Sequence, residues 1–165
     1  MQASISRIAS AVNAPKGTFY NYFKSKEELA SMLVDRQFEA LHESLSRTGH
    51  SASHRLREHC SFLALEPPAV EVAPLQLLAT LAAEATAIPV AVTQLIASGT
   101  DIWITHVSDV ISLAQLEGGT STSDPKKLAS LLVTSWYGAI VRRKADPSVK
   151  LIDDFLPFSI RSGVF

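Results

Sequence analysis

Apolar residues recur at helical spacing along most of the chain. Nowhere does a sustained apolar–polar alternation bounded by turn residues call for a strand. Ile5, Ile8, Ala9 and Val12 fall at i, i+3, i+4 and i+7, one face of a short helix that Ser4 is placed to cap. Asn13 follows where the chain must turn, and asparagine tolerates the left-handed conformation this needs. Pro15 then opens a second helix, where its missing N–H costs little. That helix runs to about Phe23. A third starts after Ser25, with Glu27 and Glu28 in the first turn as the helix dipole favours. It ends near Arg47, and the Gly49 region forms a boundary.

Beyond the boundary the spacing predicts helices over 52–65, 75–87, 90–116, 125–144 and 149–155, the third of these interrupted near Gly99. Pro67, Pro68 and Pro74 exclude a helix interior between the first two. Asp124 is placed to cap the helix that Pro125 begins. In that helix Leu128, Leu131, Leu132, Ser135, Trp136, Ala139 and Ile140 form an apolar stripe. Ala129, Gly138 and Val141 lie off it on a small-residue side, so one face is read as core and the other as a surface for a partner.

Charge is distributed unevenly. Residues 1–26 carry Arg7, Lys16, Lys24 and Lys26 and no acid, while the remainder is acidic on balance and the whole has a net charge of −1. A basic end on an acidic body suits a polyanionic partner. The single Cys60 excludes an internal disulfide framework and fits a reducing cytoplasm. No targeting segment is visible, and the longest uncharged run, between Glu84 and Asp101, is too broken to span a bilayer.

The segment "NAPKGTFYNYFKSKEEL" crowds rings and lysines together, and helical geometry divides them by face. Phe19 and Phe23, four apart, face inward. Two short helices joined by a tight turn, the second bearing basic, hydroxyl, amide and aromatic side chains, describe a helix-turn-helix that reads double-stranded DNA. Lys16, Gly17 and Thr18 give a slim leading end for the major groove, and Thr18 reaches a base edge or a thymine methyl. Asn21 is suited to adenine, and Tyr20 and Tyr22 to phosphates through their hydroxyls. Lys26 sits by a helix N-terminus, where a phosphate is welcome. With Ser4 at the cap of the first helix, these form the expected DNA-contacting set.

"SISRIASAVNAPKGTFYNYFKSKEEL", residues 4–29, resembles the DNA-binding signature of the tetracycline-repressor (TetR) family of bacterial regulators. The match includes Ile-Ala in the first helix, "KGTFYNYF" and "SKEEL", with Asn13 where glycine is usual and Pro15 where serine often caps. The resemblance implies an all-α protein. Its helix-turn-helix module with connecting helix covers 1–48, and a helical ligand-binding and dimerisation domain covers 51–165. It also implies a homodimer through the helices 90–116 and 125–144, a double-stranded DNA operator, and a small-molecule effector that shifts the protein between two spacings of its DNA modules. Family members place one more helix before this signature. Here only Met1, Gln2 and Ala3 precede Ser4. Ile5, Ile8, Phe19 and Phe23 are therefore expected to lose part of their cover, at roughly 1.5–3 kcal/mol for each side chain left exposed.

Phe62, Trp103, His106, Trp136 and Tyr137 are the candidate pocket lining, which suits a small apolar or aromatic effector. His50, His54, His59 and Cys60 were weighed as metal ligands. No C-x-x-C or H-E-x-x-H spacing supports them, so neither a metal nor another cofactor is expected. An enzyme is not expected either. There is no G-x-S-x-G and no phosphate-binding glycine loop, and the adjacent Asp153 and Asp154 point to different faces. The reading is thus a ligand-responsive transcriptional regulator, in all expectation a repressor. The alternative is a dimeric small-molecule-binding protein whose shortened DNA module no longer binds DNA.

Overall fold

Local signals set the helix ends. The computed structural model describes residues 4–47, 49–64, 74–118, 123–148 and 150. The first helix, α1 (Ile5–Ala11), starts at Ser4, whose hydroxyl accepts the Arg7 N–H. It ends with Asn13 at φ 52°, the Asn13 N–H on Ser10 O and the Ala14 N–H on Ala9 O. This Schellman arrangement satisfies the last carbonyls of α1 and sets the turn into α2 (Lys16–Tyr22). Ser25 caps α3 (Lys26–Leu45) by accepting the Glu28 N–H at 3.1 Å, while the Glu28 carboxylate reaches back to the Lys24 N–H.

The body comprises α4 (Ala52–Leu63), α5 (Pro74–Ala83), a 3₁₀ turn (Ala85–Ala87), α6 (Val90–Leu116) and α7 (Pro125–Ala145). Every described element is helical. Asp124 caps α7, accepting the Lys126 and Lys127 N–H groups. The predicted helix over 149–155 lies outside the described residues. The predicted interruption at Gly99 does not occur, because α6 is continuous. A Cβ at Gly99 would lie 2.3 Å from Cε2 of Phe38, so glycine is needed there for α3 to cross α6 closely.

The core crosses the junction between α3 and α4. Val34, Leu41 and Leu45 of α3 are buried in the same cluster as Leu56, Trp103, Val107 and Trp136. The junction is held at both ends: Arg55 Nε donates to Leu45 O, and Glu117 accepts the Ala52 N–H. The buried side of α7 differs from the predicted stripe. Ala129 and Val133 are buried, and Leu131 is 48% exposed. The small Ala129 and Val133 side chains pack inward with Leu132, Trp136 and Ile140.

His59 is fully buried and joins three helices. Trp103 Nε1 donates to His59 Nε2 at 3.0 Å. His59 Nδ1 lies 2.6 Å from Ser44 Oγ, whose hydroxyl donates to Leu41 O. With that hydroxyl proton spent on Leu41, His59 Nδ1–H is the donor to Ser44, and each polar atom in the chain is satisfied. With Nδ1 and Nε2 both engaged, His59 has no ring nitrogen left for a metal. Among the described residues no group of three or more His, Cys, Asp or Glu side chains is arranged to hold a metal.

Burial lowers the His59 pKa from 6.5 to about 3. Between those values the unfolded chain binds a proton that the folded chain refuses. Stability therefore falls as pH drops below 6.5, and the dependence flattens near pH 3. A His59→Gln variant keeps one donor and one acceptor but does not titrate. Its urea midpoint should depend less steeply on pH across that window than the parent's, and parallel curves would show that His59 is not the group responsible.

Candidate nucleic-acid interface and effector cavity

Helix α2 divides as its spacing predicts. Phe19 is buried, with its ring 5.3 Å from that of Phe23, which is half-buried. Lys16, Gly17, Tyr20, Asn21 and Tyr22 are exposed. Tyr20 is 54% and Tyr22 75% exposed, unusual for large rings with no protein partner to cover them. A Cβ on Gly17 would meet nothing within 4 Å, so the fold itself does not require glycine there. Ser4 is exposed at its cap, and Thr18 is half-buried on the leading turn. Ile5 and Ile8 are half-buried.

Lys26 is half-buried and, with Glu27, borders a groove of about 610 Å³ between the DNA module and the body. Ile8, Leu33, Leu81 and Val92 give this groove apolar walls. The Glu27 carboxyl is held below its ordinary range by its own backbone N–H and by the Ser25 hydroxyl. The exposed Lys16 and Lys24 stand nearer the α2 face in sequence than Lys26 does.

The five pocket candidates separate. Trp103 and His106 line a cavity of about 420 Å³ beside the α3–α6 crossing. Trp136 is 1% exposed and donates its indole N–H to Leu63 O at 3.1 Å, so it belongs to the core. Tyr137 hydrogen-bonds Thr100 at 3.0 Å, and burial pushes its phenol pKa up. Neither Tyr137 nor Phe62 borders the 420 Å³ cavity. The other wall of that cavity comes from α3, through Phe38, His42 and the carboxylates of Asp35 and Glu39. The sequence reading missed these four because it assigned α3 to the DNA module. The available signal was Asp35, Glu39 and His42 at i, i+4 and i+7, one face of a helix.

Residues 2–33 match the pattern of bacterial regulatory proteins of the tetR family. The chain is similar to that family over these residues. It is 29% identical over 162 residues to the HTH-type transcriptional repressor DhaR of Mycobacterium sp. (strain GP1), spanning 93% of this chain and 78% of DhaR. It is 32% identical over 54 residues to the HTH-type transcriptional repressor NemR of Escherichia coli (strain K12), spanning 33% of this chain and 27% of NemR. In fold it is similar to regulatory protein TetR from Rhodobacter sphaeroides, with a TM-score of 0.77 at 23% identity, covering 98% of this chain and 86% of the other. These relatives are named as transcriptional repressors and regulators. No helix among the described residues is long and apolar enough to cross a membrane.

Proposed function

We propose that the chain is a transcriptional repressor that binds operator DNA through α2 and leaves it when a small apolar or aromatic molecule binds the body. The observation that carries this reading is the α2 face, where Lys16, Gly17, Tyr20, Asn21 and Tyr22 are all exposed. Residues 1–48 supply the DNA contacts and the connecting helix, and 51–165 the ligand-binding and dimerisation domain.

Gly17→Ala is the sharpest test of the α2 face. Alanine favours a helix over glycine by up to about 1 kcal/mol, so the variant should be no less stable than the parent. The added methyl stands where the DNA backbone approaches, so operator affinity should fall about tenfold or more, as for a lost direct contact. Operator affinity equal to the parent's would remove α2 from the interface. Asn21→Ala should relax preference at one base pair per half-site, by about 1–3 kcal/mol. Lys26→Ala should instead weaken binding to all DNA and flatten the salt slope by about one. Anisotropy titrations on operator and random duplexes read both effects, and identical profiles for the two variants would contradict this division of labour.

The partner surface is proposed on the outward sides of α6 and α7, the helices 90–116 and 125–144 of the sequence reading. Leu131 and Val141 of α7 are exposed on the same side as Gly138, where a Cβ would meet open space. Leu113 and Leu116 of α6 are exposed as well. A symmetric pairing of these faces places two α2 helices for two half-sites about one DNA turn apart.

The α3–α6 cavity is the proposed effector site, with Trp103 and His106 retained from the sequence reading and Phe62, Trp136 and Tyr137 acting through packing. Its location supplies a mechanism. Phe38 lies against Gly99 where α3 crosses α6. A ligand wedged beside that contact moves α3, and only three residues separate the end of α2 from the start of α3. The ligand shifts the equilibrium only by the difference in its affinity for the two arrangements.

A further inference from the structure

The effector cavity has an asymmetry of charge. Its floor is apolar and aromatic, formed by Phe38, Leu95, Ile102 and Trp103. Its α3 rim carries Asp35 and Glu39, and no lysine or arginine borders it. Among the described residues neither carboxylate makes an ion pair. Like charges four apart on one helix face repel each other. A cation lying over the floor between α3 and α6 would relieve that repulsion, with the half-buried Phe38 ring beside it.

One end of the cavity is bordered by two imidazoles. His42 Nδ1 lies 2.8 Å from His106 Nδ1, with ring centroids 4.4 Å apart. In such a contact one Nδ1 donates and the other accepts, so the two Nδ1 atoms are spent on each other. An anionic ligand would meet the two carboxylates. A bare metal ion would meet an apolar floor and no cluster of three ligating side chains among the described residues.

We infer that the α3–α6 cavity takes an organic cation with an apolar or aromatic body. The inference rests on the proposal that this cavity is the effector site, and it names the ligand's charge. The body of the ligand lies on Trp103 and Phe38, and its charge lies toward Asp35 and Glu39.

Three compounds of one shape test this. Benzyltrimethylammonium carries the charge, neopentylbenzene is its neutral isostere, and phenylmethanesulfonate is an anion of similar size. Each is titrated into the full chain by calorimetry, with tryptophan fluorescence as a second readout because Trp103 borders the site. The cation should bind at least about tenfold tighter than the neutral compound, as expected for one favourable charge contact worth about 1.4 kcal/mol. The anion should bind more weakly than either. The double variant Asp35→Asn/Glu39→Gln should lose the preference for the cation, as should the parent at high salt.

Equal binding of cation and neutral isostere, tighter binding of the anion, or an unchanged cation preference in the double variant would each overturn the inference. Binding of the parent to DNA from upstream of its own gene is measured in the same samples without probe. If that DNA binding is present and the charge preference absent, this inference fails alone. If the DNA binding is itself absent, it is the regulator reading that fails.

Discussion

Truncation of Trp136 to alanine is expected to lower the unfolding free energy by about 4 kcal/mol, at the upper end for a single core substitution. The side chain is 1% exposed and lies between α6 and α4. Its ring meets Trp103 edge-on at 5.5 Å, and its N–H satisfies the Leu63 carbonyl at the end of α4. Alanine removes the ring contacts, leaves a void and orphans that carbonyl. A domain of this size is stable by only about 5–15 kcal/mol, so the variant should approach half-unfolding at modest denaturant. Trp136→Phe keeps most of the volume and should cost clearly less. A Trp136→Ala midpoint close to the parent's would mean that the α6–α7 contact is not central to the core.

The second large effect is expected on assembly. Leu131→Glu with Val141→Glu places two charges on the outward side of α7, where both side chains are now about half exposed. In a monomer these positions face water, so the fold should survive with a change in stability of under about 1 kcal/mol. In a dimer they would bury unpaired carboxylates, each costing several kcal/mol. Sedimentation should show a dimer for the parent and a monomer for the variant. Operator affinity should fall at least about a hundredfold, because the second half-site no longer binds within the same molecule. A variant that stays dimeric places the partner surface elsewhere.

These two predictions also mark where sequence and structure part. Helix limits were legible because the punctuation is local. Asn13 turns the chain at φ 52°, Ser25 takes the Glu28 N–H, and Asp124 takes two N–H groups of α7. The two sides of α2 were legible for the same reason, since Phe19 and Phe23 are one turn apart. The register of α7 was not. Periodicity ranked Leu131 above Ala129, yet Ala129 is fully buried and Leu131 is not. Hydrophobicity measures how favourable burial is, and the shape of the neighbouring helix decides which residue receives it.

The cavity and the His59 chain depended on contacts distant in sequence. His59 could be read as a metal candidate from its neighbours in the chain. Its actual partners, Ser44 and Trp103, arrive from other helices, and they make it a satisfied, neutral core residue. The continuity of α6 through Gly99 has the same origin: a glycine that reads as a breaker is a clearance for Phe38. Asp35, Glu39 and His42 gain their meaning only when α6 lies beside them.

The central claim is that α2 reads DNA sequence, and a salt series of fluorescence anisotropy titrations tests it most directly. The full chain is titrated against labelled duplex from upstream of its own gene and against a random duplex of equal length. The account predicts a preference for the upstream duplex of about a thousandfold or more, with affinity for both falling steeply as salt rises. Equal affinity for the two duplexes at every salt concentration would contradict it.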